Sequence, residues 1–332
     1  METKGFSFPK IELHRHLEGS IRQTTYFELA KEQGLIPREM TLEELIPAIQ
    51  YMEGDVRTLP AGLKKMEPIR YIIKNPEILA RVVYEAFEDA VLEGCVYTEI
   101  RFSSTHMFLQ GMTEKEIAYG AYEGLCMAKR KLHTGGCLIA GITREKANDF
   151  ADRITTFAIN NQDKGIYGMD LFGDERVAPE ESKAYFDRAY DAGMRITIHA
   201  GESGGADNIR TAINMLHAER IGHGTHLFEK NSVVDLIREK KILIESCPSS
   251  NVQTGAVEVI EEHPLKKYFE NDIPCAICTD DPRFMGLNMD SEYSVAEKIL
   301  GVTEEEIKQS LRITADYIFD RDYIPVLKKE LA

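Results

Sequence analysis

Apolar and polar positions alternate with a period of two along KIELHRHL, residues 10–17. Successive side chains of a strand point to opposite faces. Ile11, Leu13, Arg15 and Leu17 therefore share one face, and Glu12, His14, His16 and Glu18 the other. One histidine there would read as a hydrogen-bonded core residue; two at i and i+2 beside a carboxylate read as a site. Seven more short apolar runs follow, at 94–102, 136–142, 165–172, 194–200, 220–224, 241–247 and 274–280. Between them apolar residues recur at helical spacing. Asn75-Pro76 is a helix start, TEKE at 113–116 and TEEE at 303–306 are capping boxes, and Gly193 is a stop. Strands alternating with helices predict a parallel sheet, and eight strands close it as a (β/α)8 TIM barrel. An open doubly wound sheet is the alternative, but no G-x-G-x-x-G opens a helix after an early strand.

The interval 18–93 is helical throughout and too long for one crossover. It predicts a helical insertion over the barrel mouth, within one domain spanning 1–332. Leu59, Leu63 and Met66 lie at helical spacing in it. They read equally as packing of an inserted helix or as a gate over a substrate.

The net charge of −15 argues against a nucleic-acid backbone or an anionic membrane as partner, since both need a basic face. No apolar run reaches the length of a membrane span, and METKGFSFPK shows no leader pattern. Six scattered cysteines (Cys95, Cys126, Cys137, Cys247, Cys275, Cys278) read as reduced thiols, hence a cytoplasmic location. Nothing in the pattern sets an oligomeric state.

A barrel enzyme keeps its chemistry at the C-terminal ends of its strands. Here strand 1 ends with His14, His16 and Glu18; strand 4 with Asp170, Gly173, Asp174 and Glu175; strand 5 with His199 and Glu202. Strand 6 ends with His223, and strand 8 with Asp280 and Asp281. Nitrogens from His14, His16 and His199 with an oxygen from Asp280 suit zinc. An open coordination position would lower the pKa of a water toward neutrality. Glu202, just past His199, reads as the proton donor, His223 as the group that orients the attacking oxygen, and Asp281 as a substrate contact. GMDLFGDERV offers no lysine to bridge a second metal at strand 4, so one Zn2+ per chain is expected.

A rival zinc signature, H-x-E followed by P-C-x-x-C, is matched by 16–18 or 217–219 with 274–278. The gaps to Pro274, 55 residues from Glu219 and 256 from Glu18, argue against it, and Cys275 and Cys278 read as buried strand residues. GESGG at 201–205 lacks the G-K-[ST] of a phosphate loop. His106, His133, His226 and His263 receive no role.

PKIELHRHLEGS, MDLFGDE, TIHAGE, RIGHG, ESCPSSN and TDDP, in this order, resemble the adenosine deaminase family over nearly the whole chain. The resemblance implies a single-zinc barrel enzyme that adds water to C6 of adenine in a small purine nucleoside and releases ammonia. His14, His16, His199 and Asp280 would bind zinc. Glu202 would protonate N1, and His223 would stabilise the attacking hydroxide. Asp281 would bond N7, and the Gly173 N–H would meet N3. His16 and Glu18 would also face the substrate. Glu18 departs from the pattern: many members carry an aspartate there, on the ribose 5′-hydroxyl. A similar glutamate occurs in relatives acting on free adenine or modified adenosines, and it would repel a 5′-phosphate. Adenosine and 2′-deoxyadenosine are the expected substrates, with adenine or a modified adenosine as the alternative. A non-catalytic nucleoside-binding barrel is the remaining reading.

Overall fold

The computed structural model describes residues 5–332, and for 146–148 the backbone alone; the first four residues of METKGFSFPK lie outside it, and with them part of the stretch read for a leader pattern. Eight parallel strands follow one another in chain order. They are β1 (Lys10–His16), β2 (Cys95–Phe102), β3 (Gly135–Thr143), β4 (Ile166–Phe172), β5 (Arg195–Ala200), β6 (Arg220–His223), β7 (Leu243–Ser246) and β8 (Cys275–Ile277). With the surrounding helices they form a (β/α)8 TIM barrel. The seam closes through one residue. The Asp280 N–H donates to the His14 carbonyl at 2.8 Å, and the Asp280 carbonyl accepts from the His16 N–H at 2.8 Å.

The strand ends differ slightly from expectation. β8 stops at Ile277 rather than at 280; Asp280, at φ +66° and outside the extended region, makes only an isolated bridge to Arg15. Glu18 lies beyond β1, in a single 3-10 turn. Both faces of β1 are buried, as a barrel strand requires. The caps form as read: the Asn75 side chain accepts from the Ile78 N–H at 2.8 Å, and Thr113 and Thr303 close capping boxes. Thr41 closes a further one.

Between β1 and β2 lie α1 (Gln23–Glu32), α2 (Leu42–Ile49), α3 (Leu59–Arg70) and α4 (Pro76–Leu92). α4 is the crossover that packs on β2, so the extra helices are the first three. They are tied to the loop after β8: the Tyr51 N–H donates to the Phe284 carbonyl and Gln23 Nε2 to the Arg283 carbonyl. Among the described residues no helix is long and apolar enough to cross a membrane.

The inside of the barrel is polar beneath the mouth. Arg101 on β2 reaches Asp170 on β4 and Glu245 on β7, each at 2.7 Å. Arg220 on β6 reaches Glu99 on β2 at 2.6 Å and Glu245 at 2.7 Å. All five side chains are fully buried. Buried charges persist only when paired and hydrogen-bonded, and here the pairs span the barrel and brace it.

Candidate active site

The strand ends bring the expected residues to one cavity. His16, Glu18, Gly173, His199, Glu202, His223, Asp280 and Asp281 all line it, and His14 sits beneath, fully buried. Two functional side chains sit on left-handed backbone, His223 at φ +67° and Asp280 at φ +66°. Such positions are costly for residues with a β-carbon and concentrate at active sites. Gly173 follows β4 at φ +103°, where a side chain would be strained. At Gly19, a β-carbon would collide with the Asp281 carboxylate, so this glycine lets Asp281 lie against the turn after β1.

The histidines are oriented from behind. His14 Nδ1 lies 2.8 Å from Glu245 Oε2, and His199 Nδ1 lies 3.1 Å from Asp170 Oδ1. A carboxylate accepts, so each Nδ1 carries the proton and each Nε2 presents a lone pair to the cavity. Burial pushes the His16 and His199 imidazoles below their ordinary range, which keeps them neutral. His14 Nε2 is buried without a hydrogen-bond partner, 3.4 Å from Asp280 Oδ1. His16 Nε2 lies 3.1 Å from His199 Nε2 and 3.4 Å from Asp280 Oδ1. Ser250 Oγ donates to the other Asp280 oxygen at 2.5 Å. Lone pairs converging with a carboxylate leave the position of a cation, and the donor set fits a metal ion. The donor atoms of His14, His199, His223 and Asp280 lie within 4.8 Å of one another. With His16 beside them, five groups share the cavity floor.

Glu202 is 3% exposed and stands 3.6 Å from His223 Nε2. Burial, then the charges of Asp280 and Glu175, push its carboxyl up to about 8, so it holds a proton at neutral pH. Glu175 fixes the loop that carries it, accepting the N–H groups of Gly201, Glu202 and Ser203 at 2.7, 2.7 and 3.1 Å. Burial, then Asp280, raise the Asp281 carboxyl well above the ordinary range, and its Oδ1 is buried without a partner. Glu18 accepts the Ser103 N–H at 2.9 Å, and burial raises its carboxyl too.

The roof comes from the insertion. Leu59, Leu63 and Met66 of α3 line the cavity with Phe284 and Met285. The packing reading holds for Met66, which is also buried in the core. Arg70 and His106 line the side. His106, given no role from sequence, thus belongs to the cavity wall. Sequence reading also gave no role to Glu245, Arg101, Ser250 or Asn251; the quoted motif ESCPSSN holds three of these four, and their burial on or just after β7 was the available signal. The rival cysteine signature fails: Cys275 and Cys278 are free, their thiols pushed up by burial, and neither lines the cavity. His217 instead pairs with Asp187 at 2.8 Å.

Comparison with known proteins agrees with this geometry. The family model for adenosine deaminase matches residues 9–316. An adenosine deaminase of Clostridium perfringens is 33% identical over 304 residues, covering 91% of each chain. The solved adenine deaminase of Arthrobacter aurescens superposes with a TM-score of 0.90 at 24% identity, covering 98% of each chain, a likeness of fold. The Arabidopsis N6-mAMP deaminase has a TM-score of 0.85 at 26% identity, also covering 98% of each chain. With a family match over nearly its whole length and a barrel whose mouth gathers histidines, carboxylates and a protonated glutamate, the chain belongs to the adenosine deaminase family and is a hydrolytic deaminase.

Proposed function

We infer that this chain hydrolyses adenosine and 2′-deoxyadenosine to inosine and 2′-deoxyinosine plus ammonia, with one zinc ion per chain. The observation that carries the reading is the protonated Glu202 beside the converging Nε2 lone pairs and Asp280. His14, His16, His199 and Asp280 would hold the ion. When bound, zinc supplies a Lewis acid that makes water nucleophilic at neutral pH.

The chain's own residues do the rest. Adenine presents acceptors at N1, N3 and N7. Glu202 gives its proton to N1, which draws electrons from C6 and opens that carbon to attack. The Gly173 N–H meets N3. Asp281, kept protonated by its surroundings, donates to N7. A purine with N1 already protonated would set its N–H against the Glu202 O–H, so the set selects adenine over guanine. His223 faces the attacking oxygen. Glu202 recovers a proton from the incoming water and passes it to the C6 nitrogen, which leaves as ammonia; the new C6 hydroxyl then returns its proton to Glu202 as the carbonyl forms. The Clostridium relative's activity supports the nucleoside reading. Six free cysteines suit a reducing, cytoplasmic setting.

Glu18 favours a second reading. Its buried carboxyl is held by the Ser103 N–H, and it is one methylene longer than aspartate, which narrows the ribose end of the cavity. Free adenine or a modified adenosine is the alternative substrate. The test is an ultraviolet assay of the zinc-analysed protein on adenosine, 2′-deoxyadenosine, adenine and N6-methyladenosine. Rapid conversion of the two nucleosides, with little on adenine, is expected. Turnover of adenine or N6-methyladenosine alone would keep the chemistry and overturn the substrate. Turnover of none would favour a non-catalytic nucleoside-binding barrel.

A further inference from the structure

The geometry points to Asn251 and His263 as positioning residues that hold His223 as an N–H donor and keep it out of the metal's ligand set. The chain of bonds starts from a backbone amide, which can only donate. The Leu265 N–H donates to His263 Nδ1 at 3.2 Å. His263 is 4% exposed and neutral, so its single proton is on Nε2. That Nε2–H donates to Asn251 Oδ1 at 3.1 Å, and Thr225 Oγ1 donates to the same atom at 3.2 Å. Two donors on one atom fix it as the oxygen. The Asn251 amide nitrogen therefore donates to His223 Nδ1 at 3.0 Å. Nδ1, as an acceptor, holds no proton, so the ring's proton is on Nε2, the nitrogen 3.6 Å from Glu202.

A protonated ring nitrogen has no lone pair for a cation. So although His223 is as close to the other donors as a ligand would be, its wiring removes it. His16, the fifth group on the floor, completes the set with His14, His199 and Asp280. The contrast lies in the partners: His14 and His199 face carboxylates, which accept from Nδ1, whereas His223 faces an amide that donates to it. Asn251 is fully buried, and Thr225 and His263 are buried with it, so water does not compete for these bonds. The inference rests on the proposed reaction only in that the Nε2–H is then placed to hydrogen-bond the attacking oxygen.

The test is a long-range 1H–15N correlation spectrum of 15N-histidine-labelled, zinc-loaded protein, with His223 assigned by the signal lost in His223→Gln. His223 Nε2 is expected as a pyrrole-type, protonated nitrogen and Nδ1 as pyridine-type. Asn251→Asp replaces the donor with an acceptor and should reverse the pair. It should also lower kcat between about 10- and 100-fold, with KM within about threefold and zinc still at one per chain. His263→Gln, which keeps an N–H for Asn251 Oδ1, should retain the native tautomer and rate. If Asn251→Asp does not fold, His263→Leu removes only the outer bond and should give a mixture of tautomers. A pyridine-type Nε2 in the native protein would overturn the inference, as would an unchanged His223 signal in Asn251→Asp. The spectrum needs no substrate, so it stands even if the native protein turns over none of the purines tested.

Discussion

The floor and the roof of the cavity are built on opposite principles. On the floor, His14, His199, Asp280 and Glu202 are each held by a second buried residue: Glu245, Asp170 and Ser250 through their side chains, and Glu175 through the loop backbone. On the roof, α3 offers leucines and a methionine, with polar contacts at its margins: Glu67 lies 3.6 Å from Arg70 and 3.7 Å from His106. Cross-braced polar groups hold a reacting geometry within narrow limits, and apolar side chains adapt to the shape of a ligand. On the proposed function, the difference assigns the reaction to the floor and the choice of adenine compound to the roof with Glu18.

The comparison can be broken by exchanging the consequences of floor and roof substitutions. The largest effect belongs to Asp280→Ala, which should abolish stoichiometric zinc and turnover together; metal analysis showing one zinc per chain would reject the ligand set. Glu202→Gln should keep the metal and bind nucleoside while kcat falls about 10²–10⁴-fold, the range for removing a general acid. Steady-state kinetics within about threefold of the native rate would contradict its role.

A roof substitution should act differently. Leu63→Ala removes apolar contact worth roughly 1 kcal/mol, so KM should rise about 3–10-fold with kcat and zinc unchanged. A fall in kcat with unchanged KM would place α3 in the chemistry instead. The smallest effect concerns stability. Burial pushes His263 from an ordinary value of 6.5 down to about 3, so below about pH 6.5 the unfolded chain binds a proton that the folded chain refuses. That contribution to stability is complete above pH 6.5 and is lost as pH falls, by up to about 1.4 kcal/mol per unit. Chemical denaturation of His263→Gln from pH 7 to 4 should show a shallower loss than the native protein; equal slopes would contradict it.

How much of this could be read in advance follows the same division. The strands were legible because each is a short apolar run between helix signals, and the HRH spacing on β1 placed two imidazoles on one face. What escaped was non-local. The partner of His14 lies 231 residues away, and the Asn251–His263 chain joins a motif quoted without a role to a histidine assigned none. His106 and Arg70 meet the cavity only because the insertion folds over it. β8 ended early, and the barrel seam is stitched past its end by Asp280 on left-handed backbone, which periodicity does not encode.

The central claim is that one metal ion on this floor, and Glu202 beside it, perform the deamination. The most direct test is to strip the protein with a chelator, add zinc back in measured steps, and follow adenosine turnover and bound metal together. The account predicts no turnover without metal and a linear rise that saturates at one zinc per chain. Full turnover by the metal-free protein, or a rise that continues to two per chain, would contradict it.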